Sequence, residues 1–133
     1  MSKNENISTR QAFLKEVESG RKDFSNVIFT SKLDLSNLKL NGFNFKGASL
    51  KKVNFSHSYL SNTDFTDADM SGATISDVGF FNANLTNANM SQANLSNSNL
   101  SYANLTNANL SQANLTMTDL TKVTNLIHAI GTT

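Results

Sequence analysis

The apolar residues of this chain recur every five positions over most of its length. The clearest stretch, residues 83–122, repeats one unit eight times: a small residue, Asn (once Asp), Leu or Met, Ser or Thr, and a variable residue. A period of five spreads apolar side chains around a helix, so it does not fit an amphipathic helix. In an extended segment, the small residue and the central apolar residue share one face. Each unit is therefore predicted to be a short strand with two inward side chains.

Such short strands must turn and stack, because two inward side chains cannot enclose a core alone. From Leu35 the period holds to Leu120 and gives eighteen consecutive central residues. Before that, Phe24 and Phe29 start the pattern in a frame that slips by one residue. The pattern predicts a tail and helix over residues 1–22, a repeat domain over residues 23–122, and a C-terminal cap or tail over residues 123–133.

Units such as Ala93-Asn94-Leu95-Ser96-Asn97 resemble the pentapeptide-repeat family, whose signature is A(D/N)LXX. The resemblance implies an all-β solenoid, a right-handed quadrilateral parallel β-helix with four units in each coil. Sequence alone does not fix that number, since shifts of ten and of twenty residues give equal identity. Under the family's geometry, residues twenty apart form columns. We expect the side chains of one such column to hydrogen-bond along the stack: Asn44, Asp64, Asn84 and Asn104.

An amphipathic α-helix is predicted just before the repeats, over about residues 9–19. Residues 8–11 (Ser-Thr-Arg-Gln) have the pattern of a capping box, which would make Ser8 the N-cap, and Gly20 is a typical C-terminal stop. Its apolar face holds Phe13, Leu14 and Val17. We expect this helix to cover the open end of the solenoid, with docking to another protein as the alternative.

Both ends of the repeat domain depart from the pattern. Bulky residues occupy small positions in the first coil, which should be wider, irregular or packed against the helix: Leu33, Leu38 and Phe43. After Asn125, the apolar residues fall out of phase, and we predict a C-terminal cap or self-association surface from Leu126, Ile127 and Ile130.

Composition narrows the function classes. The 133 residues include no Cys, which removes disulfides and cysteine metal sites, and no run long and apolar enough for a membrane span or a standard signal peptide. We expect a cytoplasmic protein, with an exported bacterial effector as an alternative. No clustered His, phosphate-binding Gly loop or nucleophile motif is found, so we predict no enzyme and no cofactor. His57 and Asp77, twenty apart, are expected to form a weak surface pair.

Charge bears on a second family function. One branch of the family inhibits DNA gyrase by resembling DNA and so gives quinolone resistance, which requires an anionic surface. Residues 35–122 carry five Lys and five Asp, which cancel. An acidic corner of Asp64, Asp67 and Asp69 would serve this alternative, although Lys46, Lys51 and Lys52 should lie on the adjoining coil and offset it. The chain also lacks the basic stripe of a nucleic-acid-binding protein.

Three aromatic residues suggest an interaction surface. From Ser56 to Thr121, the position after the central residue is Ser or Thr in every unit except one, which has Phe81. With twenty residues per coil, Tyr59 and Tyr102 would lie on the same face as Phe81, on the coils before and after it. The sequence therefore predicts a non-catalytic scaffold that presents this face to a protein partner or to a second copy of itself.

Overall fold

The repeat region forms a stack of parallel coils. The computed structural model describes residues 5–126 and residue 129. Parallel bridges join residues twenty apart, from Asp34 with Asn54 to Asn104 with Thr124. Each coil therefore holds four pentapeptides, one on each side of a four-sided rod. The first coil is one residue longer, since Asp23 bridges Asn44, and this confirms the predicted slip.

Every corner between two sides is a tight turn. At a typical corner, the Ala83 N–H donates to the Phe80 carbonyl at 3.0 Å. The third turn residue, here Asn82, has a φ of 59°, which is the type II pattern that favours Asn and Gly. The small residue closes each turn toward the interior, which explains why Ala is repeated.

The repeated Asn stabilises its own unit. The Thr86 N–H donates to Asn84 Oδ1 at 3.1 Å, and the same bond recurs in most units of the described chain. The expected ladder along the column of Asn84 is therefore wrong, because the side-chain oxygen is already used within the unit. Amide ladders form instead at the third turn position, where Asn82 Nδ2 donates to Asn62 Oδ1 at 2.8 Å.

The central residues fill the rod. From Leu35 to Leu110 each of them is at most 1% exposed. At the N-terminal end the filling is aromatic, and Phe45 contacts six other rings at centroid distances from 5.2 to 6.5 Å. Phe43 is one of these rings. In the longer first coil, this bulky residue is accommodated at a position that usually holds a small residue, because its ring packs against other rings.

Helix α1, Arg10–Glu18, packs on this end of the rod. Its N-cap is Thr9, whose Oγ1 accepts from the Ala12 N–H, so the predicted cap at Ser8 is wrong by one residue. Gly20, at φ 97°, ends the helix as predicted. Phe13 is fully buried against Phe24, with ring centroids 4.8 Å apart.

A short strand that the sequence analysis missed precedes the helix. Strand β1, Asn6–Ile7, pairs in parallel with β2, Ile28–Phe29, and the β1 segment accepts hydrogen bonds from the Ile28 and Thr30 amides. Arg21 holds this strand in place by donating to both carboxylate oxygens of Glu5 at 2.7 and 2.8 Å.

Arg21 also joins the neighbouring elements. It donates to Glu16 Oε1 of α1 at 2.8 Å, and its guanidinium lies 4.4 Å from the ring centroid of Phe24. The hydrogen bonds to Glu5, followed by the bond to Glu16 and the charges of both carboxylates, raise the pKa of Arg21 above its ordinary value.

The regular pattern ends near residue 124. Asn125 adopts a φ of 58° at a register where no central residue from Leu35 to Leu120 has a positive φ, and its Nδ2 donates to Thr106 Oγ1 at 2.7 Å. Leu126 is partly buried against the core. Ile127 and Ile130 lie outside the described residues, so the C-terminal cap stays a prediction.

Candidate interaction surface

Tyr59, Phe81 and Tyr102 lie on one side of the rod, on three consecutive coils. We call this the aromatic side and define it by its column of bridged residues: Lys39, Tyr59, Gly79, Asn99 and Asp119. The three rings are 56%, 43% and 50% exposed. Phe81 and Tyr102 touch, with ring centroids 5.4 Å apart at an angle of 60°. The structure thus brings Phe81 and Tyr102 into contact, places Tyr59 on the same side, and leaves all three residues open to solvent.

Tyr102 occupies an unfavourable backbone position. It is the third residue of its turn, with a φ of 61°. A non-glycine residue in this left-handed region costs about 1–2 kcal/mol, and Asn, the commonest choice in this chain, lowers that cost by local hydrogen bonding. Turn chemistry does not require a Tyr here, although Lys, His, Gln and Met also occupy the equivalent position in other units.

Gly79 leaves a gap in the column between Tyr59 and Asn99. Its φ lies outside the positive range, so the backbone does not require glycine. A Cβ added there would meet nothing within 4 Å. The absent side chain therefore exposes backbone beside Phe81, at the middle of the aromatic side. Sequence analysis missed Gly79, although alignment at a period of twenty would have placed it between two side-chain-bearing neighbours.

The acidic corner is largely engaged in local structure. Asp64 Oδ1 accepts from the Thr66 N–H at 2.9 Å, and Asp67 Oδ1 accepts from Asn87 Nδ2 at 3.0 Å. Asp69 lies 3.7 Å from Lys51 Nζ, so one of the expected lysines offsets it. The corner is a mixed surface and not a continuous negative one.

Other candidate chemistry is absent from the described part of the chain. Within it, no hydrogen bond or ion pair of up to 4.0 Å joins His57 to Asp77, so the expected surface pair is wrong. No group of three or more His, Cys, Asp or Glu in residues 5–126 could hold a metal ion. None of the described helices is long and apolar enough to cross a membrane.

The family model described as pentapeptide repeats (8 copies) matches this chain over residues 31–67, 48–87, 79–116 and 88–124. These ranges cover well over half of the chain, so the protein belongs to the pentapeptide-repeat family. Membership agrees with the four-sided coil, because proteins of this family form right-handed quadrilateral β-helices. Comparison with curated proteins gives no match.

Solved structures support the same assignment. A pentapeptide repeat protein from the Arabidopsis thaliana thylakoid lumen shares 33% identity, covers 72% of this chain and 67% of its own, and has a TM-score of 0.70. One from Nostoc Pcc 7120 shares 23% identity at a TM-score of 0.56, covering 93% and 96%, and shows the fold alone. A plasmid-mediated fluoroquinolone resistance protein shares 22% identity, covering 82% and 70%, and its TM-score of 0.41 supports no functional argument.

Proposed function

We propose that this protein is a non-catalytic scaffold whose rigid β-helix presents the aromatic side to a protein partner. The observation that carries the proposal is the cluster of three exposed rings on an otherwise polar rod. Exposed aromatic groups of this kind are typical of protein interfaces, where they supply large contact area with few rotatable bonds. Inter-coil hydrogen bonds and buried central residues fix the backbone beneath the rings, so they are held ready for binding with little loss of conformational freedom.

The two ends of the rod have a structural role in this proposal. Helix α1 serves as the N-terminal cap, because its Phe13 covers Phe24 and Phe45, which would be more exposed without the helix. At the other end, Leu126 packs against the core, and we propose that it begins the C-terminal cap. Open strand edges at either end would otherwise be available for pairing with other chains.

The test compares recovery of partner proteins by the intact chain and by Phe81→Ser. Ser suits this position because every other unit from Ser56 to Thr121 has Ser or Thr there, so the variant should fold. Met117→Asn is the matched control: it removes an apolar side chain that is 79% exposed but lies outside the ring cluster. We expect the intact chain and Met117→Asn to recover the same protein and Phe81→Ser to lose it. Equal recovery by all three would refute the proposal.

DNA mimicry directed at gyrase is the weaker proposal. It needs a continuous negative surface, whereas the acidic carboxylates are bonded within the rod and Lys51 lies beside Asp69. We expect purified protein in large excess to leave the supercoiling rate of gyrase unchanged. Inhibition that is lost on Asp64→Asn and Asp67→Asn substitution would reverse this ranking.

A further inference from the structure

The geometry points to a second copy of this chain as the partner of the aromatic side. The two rods would pack antiparallel, side against side, about a two-fold axis at the level of Gly79. This inference rests on the proposed function, because it names the partner of the same surface.

The order of the column makes the aromatic side complementary to itself. Gly79 is the midpoint, with Lys39 two coils before it and Asp119 two coils after it. An axis in the interface plane and perpendicular to the rod places each residue opposite the one that lies equally far on the other side of Gly79. Lys39 of each copy therefore faces Asp119 of the other. Both side chains are exposed, and the two pairs of opposite charge form at the two ends of the contact.

The same charges oppose the parallel arrangement. A two-fold axis along the rod would place Lys39 opposite Lys39 and Asp119 opposite Asp119. Like charges that face each other across an interface are unfavourable and exclude wrong arrangements. Lys122, at the corner beside Asp119, lies opposite Gly42 in the antiparallel arrangement, so it meets no like charge directly. Charge thus selects the antiparallel register.

The apolar groups fall at the centre of this contact. Phe81 lies at the level of the axis and faces Phe81 of the second copy. Gly79, beside it, has no side chain to hold the two backbones apart. Tyr59 faces Asn99, and Tyr102 faces Asn62 across the interface. An aromatic centre with charged groups at its rim is the usual arrangement of a specific interface.

The aromatic side is large enough for such a contact. The chain has 6891 Å² of accessible surface, so one side of a four-sided rod has at most about 1,700 Å², against about 800 Å² per partner in a standard interface. Four coils separate Lys39 from Asp119, which is about 19 Å at the usual strand spacing. A standard interface would therefore use at least about half of the side.

Sedimentation equilibrium of the full chain tests the inference. We expect a concentration-dependent dimer that weakens as salt is added, because the rim pairs are screened. Lys39→Glu and Asp119→Lys should each weaken dimerisation by about tenfold, since each change turns both attractive pairs into repulsive ones. The double variant restores opposite charges in both pairs and should recover the dimer. Lys46→Glu, an exposed charge on another side, is the control and should have no effect.

Further variants separate the effect of the lost charge from the effect of a lost local hydrogen bond. Asp119 Oδ1 accepts from the Thr121 N–H at 2.9 Å, so Asp119→Lys also removes a local bond. Asp119→Asn keeps that acceptor, as Asn99 does in the preceding coil, and should weaken the dimer only through the lost charge. Phe81→Ser should weaken it by thirtyfold or more, about the loss of one central aromatic contact.

The outcomes distinguish this inference from the proposed function. A protein that is monomeric at all concentrations would overturn the two-fold contact. A dimer whose affinity is unchanged by Phe81→Ser, Lys39→Glu and Asp119→Lys would overturn it as well. Single variants that weaken the dimer without rescue by the double variant would overturn the register. If the chain is monomeric but still recovers a different protein through Phe81, the proposed function stands and only the second copy is wrong.

Discussion

Replacing Phe45 with Leu should destabilise the protein far more than replacing Phe80 with Leu. Both residues are central and fully buried, and Leu occupies the same position in many other units. The repeat pattern alone therefore predicts the same small loss of stability for both substitutions. The structure separates them. Phe45 contacts six rings, including Phe13 of α1, whereas among the described residues Phe80 pairs with one ring, that of Phe65.

The size of the difference follows from these contacts. Shortening a buried Phe to Leu leaves a small cavity and loses apolar burial, at a cost of about 1–1.5 kcal/mol for Phe80. Each aromatic pair adds about 0.5–1.5 kcal/mol beyond burial, but pairs that share one ring are not additive. We therefore expect Phe45→Leu to lower the free energy of unfolding by about 3 kcal/mol, roughly twice the loss for Phe80→Leu.

Urea unfolding followed by far-ultraviolet circular dichroism measures both values. Because repeat proteins can unfold in stages, hydrogen exchange should be recorded as well. Phe45→Leu should increase exchange first in α1 and the first two coils. Equal losses for the two variants, or a loss for Phe45→Leu below about 1 kcal/mol, would refute the claim that the ring cluster anchors this end.

Two other substitutions test the backbone conformation at Gly47 and the hydrogen bonds that Arg21 donates. Gly47→Ala should destabilise the protein by about 1–2 kcal/mol, since φ is 69° and Asn26 Oδ1 would have to move away from the new Cβ. Arg21→Gln should speed exchange of the two amides that the β1 segment protects by about tenfold, the value of one charge-assisted hydrogen bond. The bond from Arg21 lowers the pKa of Glu5 below its ordinary 4.5, so this stabilisation is present above that pH and is lost as the pH falls through the lowered pKa.

Controls are available for both experiments. Gly42 has a φ of 77° but nothing within 4 Å of an added Cβ, so Gly42→Ala should cost only the backbone strain, about 1 kcal/mol. A cost for it equal to that of Gly47→Ala would contradict the predicted collision. For Arg21→Gln, the exchange difference from the unaltered protein should shrink as the pH falls below 4.5. A difference independent of pH would exclude Glu5 as the relevant partner.

The interior of the rod could be predicted from the sequence, because burial selects for it residue by residue. A period of five that runs unbroken from Leu35 to Leu120 allows only stacked units, and the slip before Leu35 was visible as an extra residue. The role of the repeated Asn was misjudged because a column of amides suggests a ladder, and only atomic positions show that Oδ1 accepts from the N–H two residues later.

The tertiary structure decided what depends on the coil length and on contacts between distant segments. Strand β1 could not be predicted because a short polar segment carries no periodic signal. The hydrogen bonds of Arg21 could not be predicted because Glu5 and Arg21 meet only after the chain has folded. The order of charges around Gly79 could not be interpreted from the sequence, because only a coil of twenty residues places Lys39 and Asp119 on the same side. The sequence determined which side chains are buried, since that depends on local alternation. The fold decided which exposed side chains are neighbours, since that depends on how coils stack.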